Sequence, residues 1–422
     1  MTLKDSVFNV LLWLKKPSNA LWVTPVLGAI VAVLFAFAAA WAPHFLPNNV
    51  IRINIETDTL DSLLGIIASS MLAVSTFSLS IMVSAFASAS NGATPRATEL
   101  VMGDDNTRVA IASFISAFVY AVIAKTALGI GYYGQVGRFV LFVGTIGVML
   151  YLIYTLISWV KTLSQLGRLN NTLDKIEQAT AQTLIDYRKK PNMGAKGIDK
   201  VRYKHAIYAR LSGYLTHINL SKLQSFASEH ECEIDIAVRP GTLIYNGMAL
   251  AYLSKNVDDA QAMVCPAFVV EDDRSYAQDP KFGMIVLSEV AQRALSPAVN
   301  DPGTAIKVLT VLMRLLLNAK AEQETVDYEN LNIVKLDELD LIAQPFSPIS
   351  RDGASIMEVH IRMQKILHII ATHAPEARMR HAARIQAQID LDYAKQGLNL
   401  AYEKAQVQQL YDELFNQNSR CT

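Results

Sequence analysis

The sequence predicts a membrane protein with four N-terminal transmembrane α-helices, followed by an α+β cytoplasmic domain with a small barrel-sandwich-like β unit and long C-terminal helices. Four apolar stretches crowd the first 160 residues, and none of that length occurs in the rest of the 422-residue chain. A helix needs roughly 20 mostly apolar residues to cross a hydrocarbon core about 30 Å thick. The predicted spans, within a transmembrane domain of residues 1–160, are 21–42, 63–87, 109–130 and 139–160.

The overall composition excludes several classes of protein. Hydrophobic residues make up 51% of the chain and charged residues 18%, which is an average over a lipid-like part and an ordinarily charged part. The formal net charge is zero, with 38 basic and 38 acidic residues, so no nucleic-acid partner is predicted. The three cysteines are far apart and form no Cys-x-x-Cys pair. The sequence therefore predicts no disulfide framework, no metal site and no cofactor.

Basic residues near the ends of the spans predict the orientation of the chain, because cytoplasmic loops carry an excess of Lys and Arg. One side has Lys4, Lys15, Lys16, Arg96, Arg108, Lys161, Arg168 and Lys175, and the other has Arg52 and Arg138. We expect a multi-pass protein with both termini cytoplasmic. Lys125 is the one formal charge within any predicted span. It either reaches the outer interface or belongs to an ion pathway.

The second span carries a line of small hydroxyl side chains, here called the hydroxyl stripe. Its members are Ser69, Thr76, Ser80, Ser84 and Ser88. Steps of seven, four, four and four residues put them on one face of a helix. Such a face permits close packing and hydrogen bonding between membrane helices. Packing is the commoner cause of such a face, but it can also line a water-filled pore in an oligomer, and both interpretations stay open.

Beyond the spans, a helical extension is predicted over residues 161–190, followed by a β-rich unit over 200–270. The β signals are an alternating strand, an Arg-Pro-Gly turn, a second strand, an Asn-Gly turn and a third strand, all within residues 231–253. This order is similar to the barrel-sandwich of lipoyl and biotinyl domains. The hairpin tips carry no lysine, so no swinging-arm role is predicted.

Residues 271–422 are expected to be mostly helical, with strand character over 330–343. Asp279-Pro280 and Asp301-Pro302 each read as an N-cap followed by proline in the first helical turn. They predict helices over 281–294 and 303–317. Polar side chains gather around these two starts, and the candidate pocket residues are Arg274, Asp279, Arg293, Ser296, Asn300, Asp301 and Thr304.

Two interpretations of this polar cluster stay open. It is either a pair of helix caps tied together by salt bridges or a small binding pocket at helix N-termini. The carboxylate of Asp301 would oppose an anion there, so a cation or another subunit fits the pocket better.

The same region carries a family resemblance. An Ala294-Leu295-Ser296-Pro297 stretch leads into Asn300-Asp301-Pro302 and Thr304-Ala305, and Thr94-Pro95-Arg96 follows the second span. This pattern resembles the bacterial predicted membrane protein family of unknown function numbered twenty-two fifty-four, although Thr94 stands where that family has serine. The resemblance implies a bacterial inner-membrane protein with four membrane helices and then a soluble part. It implies no reaction and no ligand.

No enzymatic function is predicted, because the chain has no G-x-S-x-G elbow, Walker A run or H-E-x-x-H motif. We expect an oligomeric inner-membrane channel-like or transport protein with a cytoplasmic regulatory domain. Its expected partners are the lipid bilayer, further copies of the chain, and an ion or small cytoplasmic ligand. The alternative is a membrane-anchored ligand-sensing or scaffold protein that conducts nothing.

Overall fold

The computed structural model describes residues 17–41, 55–102, 105–163, 168–318 and 325–416. Two compact units divide the chain, Met1–Thr172 and Leu173–Thr422. The first is helical and apolar, and the second contains sheets and helices. This arrangement confirms the predicted coarse class, a mostly helical membrane protein with a sheet-containing C-terminal domain.

Five helices form the described part of the first unit. They are α1 (Pro17–Trp41), α2 (Thr57–Gly92), α3 (Pro95–Met102), α4 (Asp105–Gly129) and α5 (Gln135–Leu163). Three segments in the described residues are long and apolar enough to cross a membrane, Thr57–Ser88, Asn106–Gly129 and Gln135–Leu163. They correspond to the second, third and fourth predicted spans. The first predicted span coincides with a shorter apolar stretch of α1, Val23–Ala39.

Helix α4 is the central helix of this unit. In the most apolar 18-residue stretch of α4, 44% of the residues are buried. The corresponding stretches of α2 and α5 are 17% and 22% buried. Helix α1 packs closely on it, since a Cβ atom on Gly28 would lie 2.2 Å from Oγ of Ser116. Tyr120 of α4 hydrogen-bonds Thr145 of α5 at 2.9 Å. A membrane interior leaves such hydroxyls no water to bond, so they pair within the protein.

Helix α6 (Leu169–Lys189) leads into the second unit and ends one residue before the predicted end of the helical extension. The predicted extension over 161–190 includes residues 164–167, which lie outside the described residues. Within the second unit, α6 packs against later elements. Thr183 donates a 2.6 Å hydrogen bond to the carbonyl of Tyr276, and buried Arg188 pairs with Glu376 at 2.8 Å. The chain thus enters this unit on a helix that is part of its core.

Within the described residues of the second unit, eight strands make two sheets. They are β1 (Lys196–Ile198), β2 (His205–Tyr208), β3 (Gly213–Ile218), β4 (Ile234–Ile236), β5 (Leu243–Ile244), β6 (Ala249–Leu253), β7 (Phe268–Glu271) and β8 (Leu331–Val334). One sheet has the order β1-β8-β4-β6-β2 and the other β5-β3-β7. Strand β8 pairs in parallel with β1 and β4, and the remaining pairs are antiparallel.

These sheets do not confirm a self-contained barrel-sandwich unit over residues 200–270. The larger sheet takes β1 from before that range and β8 from after it. Parallel pairing requires a long connection, and here the chain leaves the larger sheet after β6 and returns to it at β8 only after three α-helices and strand β7 of the other sheet. The local strand and turn pattern of residues 231–253 carries no information about that return.

Apart from a short 3-10 helix over Cys265–Ala267, the remaining described elements are the helices that follow. They are α7 (Leu220–Glu229), α8 (Ala260–Val264), α9 (Phe282–Leu295), α10 (Pro302–Leu317), α11 (Asp340–Asp352), α12 (Met357–His373), α13 (Ala377–Gly397) and α14 (Ala401–Tyr411), which a π-helical turn over Asp412–Asn416 extends. The strand character predicted for 330–343 is wrong after residue 334, because helix α11 begins at Asp340. Buried Leu341, Ile342 and Phe346 lie at helical spacing and direct that segment into the core.

Candidate functional site

The hydroxyl stripe lies on the outward face of α2. The buried side chains of this helix include Ile67, Ser78 and Met82. Successive residues of a helix are rotated by about 100° around its axis. Two residues apart, side chains therefore point in directions about 160–200° apart. Each of four stripe members, Ser69, Thr76, Ser80 and Ser84, is two residues from one of these buried side chains and so points away from the buried side. The structure therefore keeps the stripe together as one exposed surface, and none of the five hydroxyl residues is buried against the rest of its own unit.

Two members of the stripe bond their own helix. Ser69 donates to the carbonyl of Gly65 at 2.9 Å, and Thr76 donates to the carbonyl of Ala73 at 2.9 Å. Such back-bonding satisfies a hydroxyl without water or a partner helix. These two positions are therefore compatible with lipid, a neighbouring helix or water.

Lys125 is paired at the N-terminal end of α2. Its Nζ lies 2.6 Å from Oδ2 of Asp61 and donates to the Asp61 carbonyl at 3.2 Å. Gly65 leaves room for it, since a Cβ there would lie 3.3 Å from Nζ. Both charged side chains are partly exposed. The sequence left two roles open for Lys125, an interfacial contact and part of an ion pathway. The ion pair with Asp61 accounts for its charge without an ion pathway.

The predicted polar cluster of the second unit falls into two separate groups. Arg274 and Asp279 lie before the N-terminus of α9, whereas Ser296, Asn300, Asp301 and Thr304 follow its C-terminus. Helix α9 has 14 residues, so its ends are about 20 Å apart at 1.5 Å per residue. Arg293 lies in its last turn. A single pocket lined by all seven residues is therefore not formed.

Asp279 and Arg274 form a buried ion pair at the first end. The carboxylate accepts hydrogen bonds from Nε of Arg274 at 2.9 Å and from the backbone N–H of Lys281 at 3.1 Å. Burial raises the pKa of Asp279 and outweighs the opposing effect of Arg274. The predicted N-cap role of Asp279 is wrong, because α9 begins at Phe282 with Lys281 at its N-cap position. Asp279 turns towards the arginine instead.

The turn before β5 closes over this ion pair. Gly241 has φ +90°, and a Cβ atom there would lie 2.1 Å from Oδ2 of Asp279. Arg239 of the same turn donates to the carbonyls of Val334 and Pro191 at 3.0 and 2.7 Å. Only glycine fits a position that combines this backbone geometry with such a close approach. The Arg-Pro-Gly turn and the segment around Asp279 therefore pack tightly against each other.

At the second end, Asp301 caps helix α10 as predicted. It accepts hydrogen bonds from the backbone N–H and the hydroxyl of Thr304, at 3.0 and 2.6 Å. These bonds lower the pKa of Asp301. Ser296 donates to the carbonyl of Arg293 at 2.7 Å, and Asn300 adopts φ +50° in the exposed turn between them. The side chains of Ser296, Asp301 and Thr304 and the backbone N–H of Asn300, which donates to the carbonyl of Ser296 at 2.9 Å, all bond within the turn, which favours the capping interpretation.

A buried polar cluster on α12 and α13 lies outside the residues singled out in the sequence. His360 contacts Asp390 at 2.9 Å, and Gln364 donates to Asp390 at 2.8 Å and to the carbonyl of Ala387 at 2.9 Å. The three side chains are fully buried. One feature of the sequence could have indicated this cluster: His360 and Gln364 are four residues apart and so lie on the same, otherwise apolar, face of a helix. The described residues contain no group of three or more His, Cys, Asp or Glu that could hold a metal ion.

The structure thus defines a membrane protein with an apolar helical unit and a second unit of mixed sheets and helices. The model of the family described as "Predicted membrane protein (DUF2254)" matches residues 18–368, and the chain belongs to that family. The resemblance found in the sequence is thereby confirmed.

A curated relative carries the name "Uncharacterized protein MT1328" and comes from Mycobacterium tuberculosis (strain CDC 1551 / Oshkosh). It is 21% identical to this chain over 307 residues, which cover 69% of the chain. The chain spans 58% of the length of that relative. No solved structure matches the chain.

Proposed function

We propose that the chain forms a channel-like homo-oligomer in the bacterial inner membrane, with the soluble unit as its cytoplasmic regulatory domain. In this proposal all four predicted spans cross the bilayer, α1 included, and both termini are cytoplasmic. No catalytic step is proposed. One observation carries the idea: the hydroxyl stripe faces away from the buried side of α2, so it is available to an axis outside the protomer.

The close packing of α1 on α4 supports its inclusion as a span. Helix α1 has 25 residues, enough for about 37 Å at 1.5 Å per residue, and the Gly28 contact holds it against the central helix. Membrane helices commonly associate through such small residues.

The outward stripe supports oligomerisation for a physical reason. The described face combines hydroxyls with the small side chain of Ala73 and runs between exposed apolar residues such as Phe77 and Leu79. Small residues let two helices approach closely, whereas a serine hydroxyl makes no favourable contact with lipid chains. A closed ring of copies would place these hydroxyls around a common axis. At that axis the hydroxyl oxygens would coordinate a passing ion.

Flux through reconstituted protein tests the proposal. Purified full chain in liposomes should pass ions, and Ser80→Leu and Ser84→Leu should each lower the flux at least several-fold. Leu79→Ala on the same helix is the matched control, because Leu79 is exposed beside the stripe, and it should leave flux near the parent value. Liposomes that pass no ions at any tested pH or salt would contradict the proposal.

The alternative is a membrane-anchored sensor or scaffold in which the spans only anchor and associate. The back-bonded hydroxyls of Ser69 and Thr76 favour it, because they need no water. It predicts that Ser80→Leu and Ser84→Leu leave cellular function intact, while Arg293→Ala or Asp301→Ala abolishes it. The channel proposal predicts that the α2 substitutions have the larger effect.

A further inference from the structure

Two adjoining loops of the second unit expose an unusual amount of apolar surface. The side chains, here called the loop patch, are Tyr208 (50% exposed), Leu211 (63%), Leu243 (62%) and Tyr245 (63%). Single exposed apolar residues are ordinary, but a group of large ones on neighbouring segments marks an interaction surface.

Backbone hydrogen bonds join the two loops and preform the patch. The N–H of Ala209 donates to the carbonyl of Met248 at 2.8 Å, and the N–H of Gly247 donates to the carbonyl of Ala209 at 3.0 Å. The N–H of Asn246 donates to Oγ of Ser212 at 3.0 Å. The loops therefore have a fixed shape, and a partner would not pay the entropy of ordering them.

Strand alternation explains why Leu243 and Tyr245 cannot turn inward. Ile244 between them is buried in the core of the second unit, and successive side chains of a strand point to opposite faces. Burying either neighbour would expose Ile244. The exposed positions are thus enforced by the fold, and a chain under no other constraint would place polar residues there.

The two chain segments that carry the patch are basic in sequence. Residues 203–228 and 236–257 contain no Asp or Glu. Their basic residues are Lys204, Arg210, Lys222, Arg239 and Lys255. Arg210 lies inside the patch loop, between Tyr208 and Leu211, and is exposed. Across β3 from β5, Glu271 of β7 pairs in register with Tyr214, so this sheet carries an acidic side chain on its far edge strand.

We propose that the loop patch docks on the surface of an anionic lipid bilayer. Tyrosine and leucine side chains on a rigid loop suit the headgroup boundary, and Arg210 suits an anionic headgroup. The occupant is a bilayer because the soluble unit is covalently joined to membrane spans. Tethering keeps its local concentration at the membrane high, so a few side chains suffice. The docking does not depend on ion conduction.

Photocrosslinking of the full chain tests this docking. Leu211 is replaced by p-benzoylphenylalanine, and the protein is reconstituted in phosphatidylcholine vesicles with or without phosphatidylglycerol. Leu400 is the matched control, because it is an equally exposed leucine (61%) in the connection between α13 and α14. Both variants must elute from size exclusion like the parent. Lipid adducts are identified by mass spectrometry after illumination.

We expect several-fold more lipid adduct at position 211 than at position 400 in vesicles with phosphatidylglycerol. Adding Arg210→Gln should reduce that excess in these vesicles and leave the neutral vesicles unchanged. Equal labelling at both positions would overturn the docking, and so would crosslinks from position 211 to a second copy of the chain. An excess insensitive to Arg210→Gln would overturn the assignment to anionic headgroups.

Discussion

The imidazole of His360 donates from Nδ1 to Oδ1 of Asp390 across 2.9 Å, and neither side chain has exposed surface. Its Nε2 lies 3.2 Å from the carbonyl oxygen of Ala354. Both ring nitrogens therefore face acceptors, and the ring fits this site when it carries two protons and a positive charge. Burial lowers the pKa of His360, but the hydrogen bond and charge of Asp390 and the Ala354 carbonyl together raise it above its ordinary value.

This pair makes stability depend on pH with a definite sign. The folded chain binds the His360 proton more tightly than the unfolded chain, whose histidine has a pKa near 6.5. The contribution is fully present below that pH and is lost as pH rises through the raised pKa of the folded state. The midpoint of thermal unfolding should therefore fall more steeply with rising pH for the parent than for His360→Gln. Parallel curves for the two proteins would contradict this.

Removing the carboxylate of Asp390 should lower the free energy of unfolding substantially. Asp390→Ala leaves His360 and Gln364 without their shared acceptor, and breaking a buried pair typically costs about 3–5 kcal/mol. Chemical unfolding followed by circular dichroism measures the loss. Asp392→Ala is the control, because Asp392 is exposed two residues further along α13, and it should change stability by less than about 0.5 kcal/mol. Equal effects of the two substitutions would mean that the buried pair contributes nothing.

Substitutions at Gly241 and Gly247 separate two causes of lost stability: backbone strain at positive φ and steric contact of a new side chain. Their φ angles are +90° and +89°, but a Cβ on Gly241 would strike Asp279, whereas one on Gly247 meets nothing within 4 Å. Gly247→Ala should cost about 1–2 kcal/mol from the left-handed backbone alone. Gly241→Ala should cost clearly more, because it also displaces the Asp279–Arg274 pair. Thermal unfolding of both variants gives the comparison, and equal losses would show that Asp279 moves aside freely.

Asp301 distinguishes a helix cap from a binding residue. Asp301→Ala should cost about 1 kcal/mol through loss of the cap, while Asp301→Asn should retain most of it. The hydrogen bonds from Thr304 lower the pKa of Asp301, so its stabilisation is present above about pH 3.8 and is lost as pH falls through the lowered pKa. A stable Asp301→Asn variant that loses cellular function would favour a role for the charge beyond capping.

The sequence predicts those parts of the fold that local patterns specify. The Asp301-Pro302 signal predicts a helix over 303–317, and α10 is observed as Pro302–Leu317. That prediction depends on capping chemistry and periodicity within a few residues. The hydroxyl stripe is likewise a matter of helical spacing, so its members share one face as expected.

Features that depend on distant partners could not be predicted in this way. Strand β8 joins β1 across more than 130 positions of the chain, and no local pattern encodes that pairing. Asp279 looked like a helix cap, but the nearby Arg274 and the Gly241 turn gave its carboxylate a different role. His360 and Asp390 are 30 residues apart. Their pairing follows from the packing of α12 on α13, which sequence spacing does not reveal.

Gly28 tests whether α1 belongs to the helical core of the membrane unit. A Cβ on Gly28 would lie 2.2 Å from Oγ of Ser116, which itself donates to the carbonyl of Ala112 at 2.6 Å. Gly28→Ala should therefore lower the thermal midpoint of the protein in detergent. Gly147→Ala on α5 should not, because nothing lies within 4 Å of a Cβ there.

The partner substitution completes this test. Ser116→Ala removes the hydroxyl that Gly28→Ala would strike, so the double variant should lose less stability than the sum of the single variants. Residues in direct contact typically couple by roughly 0.5–3 kcal/mol, whereas residues far apart add independently. Strict additivity of Gly28→Ala and Ser116→Ala would mean that α1 does not rest against α4 at this point. It would also remove the packing argument for counting α1 as a membrane span.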